Sequence, residues 1–180
     1  MKKRRRSVAT GLLAGLAGGL VASWTMNQFQ VAWSKGAELI NGDKSQSENS
    51  QQGEQSEQSE QDSEDATMKL ADKLGHALLS RGLSKDEKKH AGPIVHYAFG
   101  AAMGALYGVA AALQPEVTLG FGTAFGAGLF AVADEVAVPA FGLSKNPTEY
   151  PLSSHASALA SHLVYGATTE GVRRAVTQVA

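Results

Sequence analysis

Five side chains that can bind or pass a proton stand in stretches otherwise free of charge: His96, Asp134, Glu135, His155 and His162. Imidazole titrates near neutrality, and a carboxylate beside it serves as counter-ion or proton acceptor. A set of this composition could relay protons or hold a cation. An ionisable residue inside a bilayer costs ~3 kcal/mol or more, so it usually faces a bundle interior or water and often marks a pathway. Adjacent residues on a helix point about 100° apart, so at most one of Asp134 and Glu135, Asp134 by preference, is expected to face a bundle centre. The plainer alternative is that both carboxylates sit hydrated near the interface before Pro139, while the histidines only bridge helices. His155 and His162 share a helix face and could bind a metal, but no third ligand is evident. No metal and no cofactor is expected.

The elements that must position these groups follow from where charge is missing. Residues 7–34, 91–115 and 151–169 contain no Asp, Glu, Lys or Arg, and residues 117–144 contain only Asp134 and Glu135. A bilayer-spanning helix needs ~20 mostly apolar residues, and each stretch reaches about that length. The expected fold is all-α: a polytopic membrane protein, a bundle of about four transmembrane helices. The overall hydropathy looks soluble because residues 45–65 are dominated by Ser, Gln and Glu. Residues 35–65 are expected to form a disordered linker, having too little to bury to offset the cost of ordering. Residues 66–90 read as an amphipathic surface helix ended by Gly82, with a further short turn capped by Ser84 and Glu87. Residues 91–180 then hold three further spans.

Antiparallel succession of four spans puts His96, Asp134, Glu135 and His155 in the half of the membrane away from the N-terminal tail, with His162 nearer the middle. The basic residues Lys2 to Arg6 favour a cytoplasmic tail, and an even number of spans returns the C-terminus to the same side. A long apolar region with no clean A-x-A site after it indicates an uncleaved anchor rather than a removed signal.

The spans are rich in small residues. Gly11, Gly15 and Gly19 recur every four residues, as do Gly100, Gly104 and Gly108, and Gly122 with Gly126. Small-xxx-small faces let helix backbones approach closely in lipid, and they also permit contacts between copies, so a homo-oligomer is a possible assembly. "HYAFGA" from His96 and "HLVYGA" from His162 share a pattern, which suggests two tandem helical hairpins.

Several classes are excluded. A net charge of -1 argues against nucleic acid. The absence of cysteine removes disulfides and thiolate chemistry. "GFGTAFGAG" has the wrong spacing for a nucleotide loop, and no H-E-x-x-H, P-loop or nucleophile-elbow pattern occurs. The chain is not expected to be an enzyme, and its expected partner is the lipid bilayer.

The segments "HYAFGAAMGALYG", "VPAFGLSKNPTEYPLSSH" and "HLVYG" resemble the YagU-like family of uncharacterised bacterial inner-membrane proteins over about residues 93–174. His96, Gly100, Gly104, Tyr107, Gly108, Pro139, Gly142, His162 and Gly166 carry the resemblance. It implies a multi-pass protein of the bacterial inner membrane and supplies no catalytic residues. The expected role is a membrane scaffold or envelope-stress component acting through helix–helix contacts. The alternative is a small proton or ion conductor that uses the intramembrane His and Asp residues.

Overall fold

The computed structural model describes residues 2–41 and 66–179, and every regular element among them is helical. α1 (Lys2–Asn41) is followed by α2 (66–79) and α3 (Lys85–Leu113). A 3-10 segment, Pro115–Gly122, leads into α4 (Thr123–Leu129), which runs on through a π-helical turn, Phe130–Ala137, into α5 (Val138–Ala140). A short 3-10 turn, Pro147–Glu149, precedes α6 (Leu152–Val179).

Three stretches are long and apolar enough to cross a membrane: Ser7–Ala37, Lys85–Leu113 and Pro115–Ala140. α6 has the length, 28 residues, but is not one of the three. Its polar groups are turned inward: Ser161, His162, Thr169 and Glu170 are all buried.

Glycines set how the helices meet. A Cβ added to Gly11 would stand 3.0 Å from the Ala112 Cβ, one on Gly15 would stand 2.9 Å from the Gly108 Cα, and one on Gly104 would stand 2.6 Å from the Gly19 Cα. Gly100, in turn, lies against Ser23 and Gly19. Position rises along α1 as it falls along α3, so the two helices run antiparallel with backbones in contact. A second seam joins α4 to α6. A Cβ on Gly126 would stand 2.8 Å from the His162 carbonyl carbon, and one on Gly122 would stand 3.0 Å from the Glu170 Cβ. Gly122 is not part of a regular helix face, as the four-residue spacing suggested. It has φ 80° and ends an irregular turn through Leu119, Gly120 and Phe121. A left-handed residue admits glycine most readily, and the same residue must also admit α6.

Tyr107 on α3 meets Glu170 on α6, and Gly100 meets Tyr165, so α3 and α6 run parallel. Gly18 lies against Thr169, and Thr25 bonds Thr168 at 3.2 Å, which seats α1 on α6. The bundle is therefore two antiparallel hairpins, α1–α3 and α4–α6, side by side with both chain ends at one end. His96 precedes the seam glycine Gly100 by four residues, as His162 precedes Gly166.

The interior is small-residue packing around Ala14, Ala22, Met26 and Ala133, with Tyr107 and Tyr165 as its large members. Leu13, Trp24, Leu106 and Val132 point outward at 55–66% exposure. Large apolar groups outside and small ones inside suit a lipid surround better than water.

The boundaries differ from the sequence reading at three points. α1 already begins in the basic tail and continues past Ser34 to Asn41, because nothing there breaks the helix. The helix after the linker ends at residue 79, and the capping box of Ser84 and Glu87 opens α3 itself, not a separate turn. Pro93 falls inside α3. Of the disordered linker expected over 35–65, residues 35–41 are instead the last turns of α1, and 42–65 lie outside the described residues.

α2 folds back against the bundle. Lys69 and Lys73 donate to the carbonyls of Leu143 (3.1 Å) and Phe141 (2.6 Å). Asp72 accepts from the Leu83 N–H at 2.8 Å and pairs with Lys88 at 2.8 Å. The Lys88 ammonium first, and then that N–H, hold the Asp72 carboxyl below the usual carboxylate range. A lowered folded value means the contact contributes fully above the ordinary carboxylate pKa. It is lost as pH falls through the lowered value. Hydrogen exchange in 66–79, corrected for intrinsic rates, should therefore accelerate in that acid window. In Asp72→Asn it should be fast at neutral pH; equal protection in both proteins would refute the clamp.

Candidate functional site

The two hairpins meet tightly at the end that carries both termini and part at the other. Between them lies a cavity of about 740 Å³. All five ionisable residues singled out above line it: His96 from α3, Asp134 and Glu135 from the π turn, and His155 and His162 from α6. They gather toward one end of the bundle, where the span arithmetic put His96, Asp134, Glu135 and His155, with His162 nearer the middle.

The groups are paired. His155 Nδ1 lies 2.7 Å from a Glu135 carboxylate oxygen, and its Nε2 lies 3.0 Å from the Pro147 carbonyl oxygen. His162 Nδ1 donates to the Ala158 carbonyl at 2.9 Å, with an Asp134 oxygen 3.6 Å from the same nitrogen. The latter is a charge contact too long for a hydrogen bond. His96 Nε2 is shielded from solvent and has no hydrogen-bond partner among the described residues. Such an orphan is uncommon and calls for a water, an ion or a role.

Both carboxylates line the cavity, each paired with a different histidine of α6. Phe130–Ala137 is a π-helical turn, which is wider and is often found at functional sites.

Sequence reasoning missed two parts. Ser23, Asn27 and Gln30 bring polar atoms from α1 to the cavity wall. Their spacing, four then three, puts them on one helix face, a signal that was available. At the floor, the Tyr165 hydroxyl donates to the Gly100 carbonyl at 2.5 Å.

Below the floor the bundle is closed. Glu170 is fully buried and accepts from the Tyr107 hydroxyl at 2.9 Å, from Arg173 at 2.6 and 2.9 Å, and from Arg174 at 2.5 Å. The Arg174 guanidinium also stacks over Phe121, 4.9 Å from the ring centroid. In the sequence, Glu170 with Arg173 and Arg174 three and four residues later reads as an interfacial anchor. The arginines do sit toward the end of the bundle, but the carboxylate is a core residue, and its partner on α3 had no sequence signal.

Among the described residues no group of three His, Cys, Asp or Glu side chains is gathered as a metal site. The cavity is thus a one-sided vestibule with apolar walls, two carboxylate–histidine contacts and one unpartnered imidazole nitrogen.

Residues 55–171 match the model of a family described as protein of unknown function (DUF1440). The chain belongs to that family. The DUF1440 match takes in the cavity walls contributed by α2, α3, the π turn and α6, while α1 lies outside it. No curated protein and no solved structure matches the chain.

Proposed function

We propose that this protein crosses a bacterial inner membrane four times and carries protons or small cations through the vestibule. The observation that supports it is the gathering of His96, Asp134, Glu135, His155 and His162 around one cavity in one half of the bundle. Ionisable groups are costly in a bilayer and are kept where they line an aqueous path. α6 is the fourth span in this reading. Its polar side is turned to the cavity and to Tyr107, so its outer face is what lipid meets. Both termini lie on one side, the cytoplasm by the charge of the N-terminal tail, and the YagU-like resemblance agrees with that membrane.

The scaffold reading has less behind it. It rested on glycine faces free for other helices, and those faces are occupied within the chain. A homo-oligomer would have to use the outer apolar faces instead.

Because the floor is closed, the arrangement is an inward-leading half-path, and passage requires a second shape in which the floor opens. The test is proton uptake by proteoliposomes under an imposed pH gradient. Wild-type protein is expected to take up protons. Asp134→Asn, reconstituted at matched folding, is expected to fall to the level of empty liposomes. No uptake in either would overturn the proton reading, and equal uptake in both would remove Asp134 from the path.

A further inference from the structure

We infer that the vestibule takes up an organic ammonium ion in exchange for the proton on His155, an inference that rests on reading the vestibule as a transport site. Both nitrogens of His155 face acceptors, a Glu135 carboxylate oxygen at 2.7 Å and the Pro147 carbonyl oxygen at 3.0 Å. A neutral imidazole has one N–H; only the imidazolium donates from both nitrogens. With Glu135 ionised, the imidazolium makes both contacts at once and Glu135 is its counter-ion.

The other charged and titratable groups facing this pair are Lys89 and His96 from α3, Asp134 from the π turn, Lys145 and Tyr150 from the loop before α6, and His162 and Tyr165 from α6. α1 and α2 add none to the lining. Two carboxylates thus stand against two lysines, with the His155 proton as the remaining charge. A monovalent cation that replaces this proton leaves the charge of the cavity unchanged. An uncompensated addition would raise the charge in a low-dielectric site, which is costly.

The shape selects the kind of cation. A space of about 740 Å³ is in the range of small-molecule sites, which are mostly apolar with a few convergent polar groups. Trp33, Phe99 and Phe130 line it, and aromatic faces attract weakly hydrated organic cations. No metal-binding group of three is gathered among the described residues. In the exchange the His155 Nδ1–H bond breaks and its proton passes to bulk water. The neutral ring keeps its Nε2–H bond to Pro147, and the freed Glu135 carboxylate turns to the ammonium.

The test titrates the full chain in lipid nanodiscs with tetraethylammonium, which has no proton of its own, in buffers of differing ionisation heat. Saturable binding is expected, with about one proton released per ion and affinity rising by up to about tenfold per pH unit where His155 titrates. His155→Gln should bind without release, and Glu135→Gln should bind weakly, both judged at unchanged melting temperature. Wild-type binding without proton release, or release that persists in His155→Gln, overturns the exchange and leaves the transport reading standing. Proton uptake by liposomes with no tetraethylammonium binding overturns the ammonium class alone. Absence of both overturns this inference and the reading beneath it.

Discussion

Gly104→Leu is expected to take the bundle apart. The atoms that a new Cβ would meet are backbone, the Gly15 carbonyl and the Gly19 Cα and N, the last two 2.6 and 2.7 Å away. A flexible side chain could yield; a helix backbone cannot without separating α1 from α3 along the whole seam. Overpacking that side chains can absorb costs typically 1–3 kcal/mol, occasionally more. Here the loss should lie at or above the top of that range, about 3 kcal/mol or more. Gly128→Leu is the matched control, because nothing lies within 4 Å of a Cβ at that position. Circular dichroism during detergent-induced unfolding should place Gly104→Leu far below the wild type and Gly128→Leu close to it. Similar midpoints for the two variants would show that the seam is not what holds the hairpin.

The second large effect is expected at the closed end. Glu170 has no exposure and answers three partners: Tyr107, Arg173 and Arg174. Removing one member of a buried ion pair costs about 3–5 kcal/mol, because the remaining charge is stranded. Arg174 is 46% exposed against 15% for Arg173, so water screens part of that loss. Glu170→Gln should therefore fall near the lower limit, about 3 kcal/mol. Tyr107→Phe loses one hydrogen bond from the same network and should cost only about 1 kcal/mol. Equal melting temperatures for Glu170→Gln and wild type would show that the network does not hold the closed end.

The sequence reading and the structure agree where the evidence was a long run of one kind of residue. Runs without charge located α1, α3 and the α4–α5 region, and antiparallel succession alone placed His96, Asp134, Glu135 and His155 in one half. What could not be read was local geometry. Nothing in "FAVADEVA" announces a π turn, nor which histidine each carboxylate pairs with. The partner of Glu170 lies 63 residues away on α3, and no spacing rule reaches that far. The glycine stripes were legible as stripes, but a stripe does not say whether its partner is in the same chain. That answer needed the register, with Gly15 set against Gly104 and Gly108.

The register between α1 and α3 has a consequence for how the protein is made. Gly19 and Gly100 face each other, yet roughly 80 residues separate them in translation, and synthesis proceeds at about 5–20 residues per second. In the membrane reading, α1 thus enters the bilayer and waits several seconds with its glycine stripe open before its own partner emerges. During that interval the nearest complementary surface belongs to a neighbouring ribosome's product. Strong expression is therefore expected to raise the share of hairpins exchanged between chains, and weak expression the share closed within one chain.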